Sequence, residues 1–411
     1  MTIKVANIIE DGRLGGPQVR ISEVVPLLNS DINTNNYDIE ETSRRGDTSG
    51  SEEESESIET VVVFPFEEGE LFRERLEKYD ILYKQLPLHR LSKMKKYMIR
   101  YVLFFPFEIW ILYRFLKKHQ FDIVHVSGGS WQYKGAIAGR LAGCKVLWEL
   151  NDTKMPSIVH FCFRFLAAKV AHGFIVVAQR AKKYYLKSLQ KKNIKPIFEI
   201  QSPVNCTFFN PDVVDLDSKI SSYDGLHIVT VANVNPIKGI EVFLQMAVKL
   251  NKIYSDLNFW IVGPLYDSQK AYYDKLIKLQ HKTELKNCFF YGYCSDVRKV
   301  LKSADIYVCS SIAEASPLSV WEAMAMEKPI ISTDVGDISR FIKHGYNGYI
   351  AQVKNVGLLV DNVSKIIDNI KESKNFGQRS REIALKNFDT PIIAQKHVHA
   401  YTSVYNLNGQ N

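Results

Sequence analysis

Short apolar segments alternate with helix-like stretches along almost the whole chain, and this alternation limits the possible folds more than any other feature. Segments such as 4–9, 60–64 and 145–150 have the length and apolar content of strands buried in a parallel sheet. An irregular stretch at 202–223 divides the alternation into two series. Two strand–helix–strand series joined by one linker predict an α/β protein with two Rossmann-like, doubly wound domains that face a central cleft.

The length of 411 residues exceeds one ordinary hydrophobic core and agrees with two domains. We predict domains at 1–205 and 226–385, a linker at 206–225 and a C-terminal helical segment at 386–411. Residues 40–59 are rich in Ser and Glu and indicate an acidic, mobile insert.

Composition excludes some classes of protein and favours others. The net charge of +8 suits an anionic ligand or a membrane surface. The six cysteines are scattered without a C-x-x-C pair, which indicates reduced core residues, a cytoplasmic location and no metal site. The short apolar N-terminus is typical of a first strand rather than a signal segment, and no apolar run reaches the roughly 18–20 residues of a membrane span.

Residues 89–120 combine aromatic, aliphatic and basic side chains. Their apolar part, Y-V-L-F-F-P-F-E-I-W-I-L-Y, is interrupted by Pro106 and Glu108. A basic, aromatic, amphipathic stretch can lie in a lipid interface at the cytoplasmic face of a membrane. Equally, it can be a helix packed on the sheet of its own domain, and the sequence leaves both interpretations open.

Three loops at the carboxyl ends of first-domain strands carry candidate functional residues. Gly15 and Gly16 follow the first strand and would allow close approach of a ligand to the backbone, although a plain strand-to-helix turn explains them as well. His125 ends another strand, where a structural role is the simpler alternative, and Asn151 and Asp152 follow the next. Ligands of open α/β sheets bind at this edge.

The segment 310–337 contains two glutamates, Glu314 and Glu322, separated by seven residues. Ser316 is a suitable N-cap and Pro317 a suitable first helical residue, so we predict a helix that starts after Glu314 and is stopped by Pro329. The helix is apolar nearly all round, which predicts burial. Glu322 therefore faces either water, a core arginine or a polar ligand.

The second-domain loops offer groups that suit a diphosphate and a sugar. Lys238 supplies a cation, and helix N-termini at Gly239 and at 316–319 supply backbone N–H groups, the second one through Ser316, Pro317, Leu318 and Ser319. Glu314 and Glu322 can accept hydrogen bonds from sugar and ribose hydroxyls. Asp215 and Asp217 form a D-x-D by letters but lie in the predicted linker, so we expect them to be solvated.

These motifs, taken in order, resemble the GT-B-fold retaining glycosyltransferases of family 4, the glycosyl transferases group 1. The E-x7-E element is present as Glu314 and Glu322, and A-N-V-N-P-I-K-G at 232–239 corresponds to the family's basic loop G-R-L-x-x-x-K-G. The glycine pair, I-V-G-P at 261–264 with Gly263, Y-G-Y-C-S-D at 291–296 and the C-terminal segment 392–405 also match in position. The resemblance covers nearly the whole chain.

The resemblance implies transfer of a sugar from a nucleotide-diphosphate donor to a glycan or polyprenyl-linked acceptor, with retention of anomeric configuration. Glu314 would contact the transferred sugar, Glu322 the donor ribose and Lys238 the diphosphate. By the same analogy the amides of 316–319 would bind phosphate, His125 would lie near the sugar, Gly16 would approach phosphate or acceptor, and residues 386–411 would cross back to the first domain. Neither a cofactor nor a metal ion is implied.

The chain departs from the family pattern at three positions. Asn233 replaces the usual arginine of the basic loop, Glu327 replaces a frequent glycine after the E-x7-E helix, and Asp337 replaces another glycine. Two alternatives therefore stay open. One is a sugar-nucleotide epimerase or hydrolase on the same fold. The other is a non-catalytic sugar-nucleotide-binding protein, which the loss of the arginine favours.

Overall fold

The fold is described from a computed structural model that covers residues 2–29, 57–91, 95–151, 157–186 and 195–409. Most of the predicted acidic insert and Asp152 lie outside these residues. The chain divides into two compact units: 1–177, 181–201 and 390–411 form the first, and 178–180 and 202–389 form the second. Residues 206–225, predicted as a linker, belong to the second unit.

The first unit is built on a seven-stranded parallel sheet with the order β3-β2-β1-β4-β5-β6-β7. Its strands are β1 (Thr2–Ile8), β2 (Ser57–Pro65), β3 (Tyr83–Leu86), β4 (Ile123–Val126), β5 (Lys145–Leu150), β6 (Gly173–Val176) and β7 (Ile197–Glu199). The helices that connect them are α1 (Gly16–Asn29), α2 (Glu70–Lys78), α3 (Lys95–His119), α4 (Tyr133–Ala142), α5 (Ser157–Val170) and α6 (Gln179–Leu186).

The second unit has a six-stranded parallel sheet with the order β10-β9-β8-β11-β12-β13. Its strands are β8 (Leu226–Val231), β9 (Leu257–Val262), β10 (Cys288–Gly292), β11 (Ile306–Cys309), β12 (Ile330–Thr333) and β13 (Gly348–Ala351). Its helices are α7 (Ile240–Leu250), α8 (Lys270–Lys282), α9 (Val297–Ser303), α10 (Leu318–Ala325), α11 (Ile338–Phe341), α12 (Val356–Asp368) and α13 (Ile370–Phe388). The last helix, α14 (Thr390–Tyr405), belongs to the first unit and packs on α1.

Apolar side chains fill both faces of the first sheet, as expected for parallel strands covered by helices on either side. Along β1, Val5 faces the layer that contains α1 and α14, whereas Ala6 and Ile8 face the layer that contains α3, α4 and α5. The same alternation in β4 directs His125 toward α1 and α14. Strand periodicity therefore places this histidine on one defined face.

Each sheet reverses its strand order at one point, between β1 and β4 in the first unit and between β8 and β11 in the second. Crevices outside the carboxyl ends of strands at such points bind ligands in open α/β sheets. The loops after β1, β8 and β11 carry most of the predicted site residues. The fold therefore places these residues next to the crevices where ligands of such sheets bind. None of the helices within the described ranges is long and apolar enough to cross a bilayer.

Candidate functional site

Lys238 and Glu314 meet in the second unit, although 76 residues separate them in the chain. Lys238 follows β8, Glu314 follows β11, and these two strands are neighbours. The Lys238 Nζ atom donates a hydrogen bond to Glu314 Oε1 over 2.6 Å. Both side chains are partly exposed, at 27% and 14%. The structure therefore brings together, at the edge of the sheet, the cation and the carboxylate that the sequence predicts.

The Lys238 loop is held by its own side chains and by the neighbouring loop. The side-chain oxygen of Asn235 accepts from the backbone N–H groups of Ile237 and Lys238, over 2.9 and 3.1 Å. The Ser310 hydroxyl donates to the Lys238 carbonyl over 3.2 Å. A Cβ added at Gly239, whose φ is +65°, would lie 2.0 Å from the Ser310 carbonyl oxygen. Only glycine permits this approach of the two loops.

Ser311 also positions Glu314, and the sequence motifs did not identify it. Its hydroxyl donates to Glu314 Oε1 over 2.8 Å, and its carbonyl accepts from the Thr333 hydroxyl over 2.6 Å. Glu314 Oε1 thus receives one hydrogen bond from Ser311 and one from Lys238. The sequence did contain a signal for this contact, a serine three residues before the predicted carboxylate. Ser side chains often form hydrogen bonds with nearby groups in such turns.

Helix α10 begins at Leu318, one residue later than the Ser316 cap predicted. Pro317 is at the N-cap position, and the Ser316 hydroxyl instead accepts from Trp321 Nε1 over 3.0 Å. The prediction of a Ser316 side-chain cap is therefore wrong, because the indole uses that oxygen. The N–H groups of Leu318 and Ser319 precede the first intrahelical bond and can donate to an anion.

The burial predicted for α10 is confirmed, since Val320, Trp321 and Met324 are fully buried. Glu322 lies in the second turn and is partly exposed. A partly exposed carboxylate on an otherwise buried helix is compatible with a ligand contact. Its predicted role toward a ribose stays a prediction.

Asn233 and Gly263 lie beside the Lys238 loop. The Asn233 side-chain oxygen accepts from Asn235 Nδ2 over 2.8 Å, which links it to the residue that holds Lys238. A Cβ at Gly263 would lie 2.2 Å from the Ala232 carbonyl oxygen, so the loop after β9 lies directly against the loop after β8. The packing of these two loops therefore requires glycine at position 263, whether or not this residue contacts a donor.

The structure shows the local surroundings of the other two departures from the family pattern, Glu327 and Asp337. Glu327 follows α10 with φ +58°, the left-handed conformation that favours glycine. Asp337 is buried at the start of α11, where its carboxylate accepts from Arg340 over 3.0 Å. The presence of glutamate rather than glycine at position 327 therefore affects the stability of the turn after α10.

His125 is only 2% exposed and lies in a buried polar cluster within the first unit. Its Nδ1 atom is 2.8 Å from the Tyr401 hydroxyl of α14, and its Nε2 atom is 3.5 Å from Glu149 Oε2. Glu149 also pairs with Arg20 of α1. A small cavity adjoins these groups. The structural alternative for His125 thus has direct support, and its contact with a sugar stays a prediction.

The charges in this cluster are balanced by pairing. Burial alone would raise the pKa of Glu149, but Arg20 and His125 together lower it to about 2. Burial and the neighbouring His125 lower the pKa of His397 to about 3. Arg20, Glu149 and Tyr401 escaped the sequence analysis. The available signal was a single acid in the apolar strand V-L-W-E-L, because a buried carboxylate needs a partner.

A second buried cluster lies at the other face of the first sheet. Lys134 is fully buried and pairs with Glu108 of α3, whose carboxylate also accepts from the backbone N–H of His89. Glu10, at the end of β1, accepts from the backbone N–H groups of Lys134 and Gly135 over 2.7 and 3.2 Å. Burial raises the pKa of Glu10 to about 7, although Lys134 acts in the opposite direction. These contacts join α3 and α4 to β1.

The remaining first-unit candidates lie at the carboxyl edge of the sheet. Gly15 and Gly16 are exposed, and a Cβ added at Gly16 would meet no atom within 4 Å. Packing therefore does not require this glycine, which leaves room for a ligand. Asn151 donates from Nδ2 to Glu149 Oε1 over 3.0 Å. Asp152 lies outside the described residues.

The expectation for Asp217 was wrong. This carboxylate is buried and accepts from the backbone N–H groups of Lys219 and Ile220 and from the Tyr291 hydroxyl. It is a structural cap of a short turn, whereas Asp215 is exposed. Among the described residues, no group of three or more His, Cys, Asp or Glu side chains could hold a metal ion.

Comparisons with known proteins found a matching family and several similar proteins. Residues 218–383 match the family described as glycosyl transferases group 1. The chain is 26% identical over 274 residues to the UDP-Gal:alpha-D-GlcNAc-diphosphoundecaprenol alpha-1,3-galactosyltransferase of Escherichia coli, across 63% of this chain and 69% of that protein. It is 27% identical over 297 residues to the N,N'-diacetylbacillosaminyl-diphospho-undecaprenol alpha-1,3-N-acetylgalactosaminyltransferase of Campylobacter jejuni, across 70% of this chain and 75% of that protein.

A solved structure has the same fold over nearly the whole length of this chain. The Anabaena protein Alr3699/HepE in complex with UDP superposes with a TM-score of 0.78 at 15% identity, covering 98% of this chain and all of that chain. The fold is therefore GT-B. The match of residues 218–383 to the glycosyl transferases group 1 supports the resemblance noted from the motifs. Family 4 and retention of configuration stay predictions.

Proposed function

We propose that this protein is a retaining, family 4-like glycosyltransferase that moves a hexosyl or N-acetylhexosaminyl group from a nucleotide-diphosphate sugar to a polyprenyl-linked or glycan acceptor in polysaccharide biosynthesis. The observation that carries the proposal is the pair of Lys238 and Glu314 at the β8–β11 reversal point, within the segment that matches the family. The acceptor class is supported by the two curated relatives, whose names specify diphosphoundecaprenol acceptors.

Each group at this edge has one role in the proposal. Lys238 stabilises the charge that develops on the leaving diphosphate, and the N–H groups of Leu318 and Ser319 bind a phosphate. Glu314 accepts from hydroxyls of the transferred sugar, and Glu322 accepts from the donor ribose. When the donor binds, Lys238 exchanges part of its bond with Glu314 for phosphate oxygens. No metal ion is needed, so chelation with EDTA leaves the rate unchanged.

We propose that the reaction takes place in the cytoplasm, at the membrane surface that holds the acceptor, with residues 89–120 in peripheral contact with anionic lipid.

Asn233 provides no positive charge, so Lys238 and the helix N–H groups contribute more of the diphosphate binding than in relatives with arginine there. The non-catalytic alternative predicts donor binding without turnover.

A donor screen tests the proposal. Labelled UDP-, GDP- and dTDP-sugars are incubated with the purified chain and a membrane lipid extract, and labelled lipid-linked product is measured. Transfer from one donor is expected, with anomeric configuration retained by NMR. Lys238→Met lowers the rate by about 10²–10³. Its matched control is Lys275→Met, because Lys275 forms an exposed pair with Glu241 in the same unit.

Three outcomes would contradict the proposal. Binding of a donor without any labelled product supports the non-catalytic alternative. Conversion or release of the sugar without an acceptor supports an epimerase or hydrolase. An equal rate in Lys238→Met and Lys275→Met removes Lys238 from the diphosphate site.

A further inference from the structure

The outward side of α3 is apolar and exposed in a way that its role in the fold does not require. Its inward side packs on the sheet through Leu112, Leu116 and the buried Glu108. The outward side carries seven large apolar side chains, each 39–69% exposed: Met98, Ile99, Val102, Leu103, Phe104, Phe107 and Trp110. Such a concentration of exposed apolar side chains on one helix indicates an interaction surface.

Helix α5 adds to the same side of the first unit. Phe163 and Ala167 of α5 pack into the hydrophobic core that also contains Leu112 and Leu116 of α3, so both helices cover one face of the sheet. Phe161 and Phe165 point away from that core and are 70% and 61% exposed. We call the outward sides of α3 and α5 the α3–α5 face. Its apolar residues lie in the N-terminal and central parts of the two helices.

Basic residues follow the apolar ones on both helices. Arg114 lies over the Trp110 ring at 5.1 Å, and the exposed Lys117 and Lys118 complete α3. Lys169 lies over the Phe165 ring at 4.2 Å. Lys169 also lines an open pocket with other basic groups and no acidic residue: Arg140, His172 and Lys195.

The electrostatics of this pocket favour an anion. Burial, together with the neighbouring Arg140, Lys145 and Lys195, lowers the pKa of His172 to about 4. Burial is the largest cause, but all three cations also act against protonation of this imidazole, which indicates a positive local potential. The pocket therefore suits the negatively charged phosphate of a lipid headgroup.

The α3–α5 face is held in a fixed position. The buried pair of Lys134 and Glu108 joins α3 to α4 beneath it, and the backbone N–H of His89 donates to the same Glu108 carboxylate. Since the inward residues of α3 stay in the core, the helix presents its apolar side without leaving the sheet. A rigid apolar surface followed by cations matches an interface with acyl chains and anionic headgroups.

We infer that the α3–α5 face binds an anionic bilayer, with the apolar side chains in the headgroup–acyl boundary and the basic pocket at the lipid phosphates. The inference deepens the proposed function, since it assigns the membrane contact to two helices and adds α5 and the pocket to residues 89–120. The two helices run opposite to the strands, so their apolar N-terminal parts lie nearest the carboxyl edge of the sheet. That edge is the one at which a lipid-linked acceptor would be used.

Vesicle flotation tests the inference without any sugar substrate. The purified chain is mixed with phosphatidylcholine vesicles with and without phosphatidylglycerol. Binding to the anionic vesicles is expected, together with quenching of Trp110 fluorescence by brominated acyl chains. Leu103→Ser combined with Phe161→Ser weakens binding about tenfold or more, and Lys117→Ser combined with Lys118→Ser also weakens it about tenfold or more.

Matched controls come from α2, on the other side of the sheet. Leu71→Ser and Lys78→Ser alter an exposed apolar and an exposed basic residue and should leave vesicle binding unchanged. Lys238→Met should bind vesicles as the unaltered chain does while losing transfer, which separates a failure of this inference from a failure of the proposed function.

Several results would overturn the inference. They are absence of binding to anionic vesicles, equal loss of binding in the α2 controls, and binding that the α3–α5 substitutions leave unchanged. Lipid-free self-association that Leu103→Ser abolishes would assign the face to a second copy of the chain instead.

Discussion

The buried carboxyl of Glu10 gives a quantitative prediction about stability and pH. Glu10 is 1% exposed at the end of β1, where it accepts hydrogen bonds from two backbone N–H groups and lies 3.9 Å from Lys134 Nζ. Burial raises its pKa from 4.5 to about 7. The folded state therefore binds the Glu10 proton more tightly than the unfolded state does.

The sign follows from proton linkage. Between pH 4.5 and pH 7 the folded state holds this proton and the unfolded state does not, so the free energy of unfolding falls as pH rises. The slope is about 1.4 kcal/mol per pH unit, and the interval spans about 2.5 units, so the total contribution is about 3 kcal/mol. It is fully present below pH 4.5 and lost above pH 7.

Glu10→Gln removes this titration and is the direct test. The free energy of unfolding is measured by chemical denaturation at pH 5 and pH 8 for both chains. We expect the variant to gain about 2–3 kcal/mol relative to the unaltered chain between these pH values. Taking this difference removes the opposite contributions of His172 and His397, because both chains contain them.

Glu74→Gln is the control, because Glu74 is exposed on α2 and its carboxyl stays in water in both states. Its stability difference from the unaltered chain should not change with pH. A Glu10→Gln difference that is the same at pH 5 and pH 8 would refute the assignment of a raised pKa to Glu10.

Three further predictions concern the second unit. Glu322→Ala weakens binding of a nucleoside diphosphate about tenfold or more, whereas Glu314→Ala leaves this affinity near its original value. Both affinities are measured by calorimetry. An affinity of Glu322→Ala equal to that of the unaltered chain contradicts the ribose contact. Gly263→Ala lowers the melting temperature more than Gly292→Ala does. Both glycines have positive φ, but only a Cβ at Gly263 meets a backbone oxygen within 4 Å. Equal decreases in melting temperature contradict the clash at Gly263. Glu327→Gly raises the free energy of unfolding, measured by denaturant titration, by about 1 kcal/mol. The substitution relieves a left-handed φ and removes a 3.9 Å ion pair with Arg381, which contributes little. An unchanged or lower free energy of unfolding contradicts strain at Glu327.

Local pattern was sufficient for much of the fold. The strand predicted at 145–150 has these bounds in the structure, and those predicted at 4–9 and 60–64 correspond to β1 and β2, because apolar runs between turn residues leave few alternatives. Pro106 indicated an interruption, yet it lies inside the continuous helix α3. Tertiary packing of Leu112 and Leu116 outweighs the lost backbone hydrogen bond there.

The pairing of side chains was less accessible from sequence. The motif order predicted that Lys238 and Glu314 serve one ligand, and their loops do meet. It did not identify Ser311, which bonds Glu314, or the hydroxyl of Ser316 as the partner of Trp321. Side-chain hydrogen bonds depend on distances of a few tenths of an ångström, which residue spacing does not define.

The sequence by itself determined the two α/β series, the strand-end positions of the candidate residues and the resemblance to GT-B glycosyltransferases. These features depend on hydrophobic periodicity and on the order of short motifs, both of which are properties of the chain alone. Only the tertiary structure decided that His125 is buried between Tyr401 and Glu149, that Glu108 pairs with Lys134, and that one side of α3 stays exposed. Each of these depends on which distant residues the fold brings together, and burial and pairing energies arise only from that proximity.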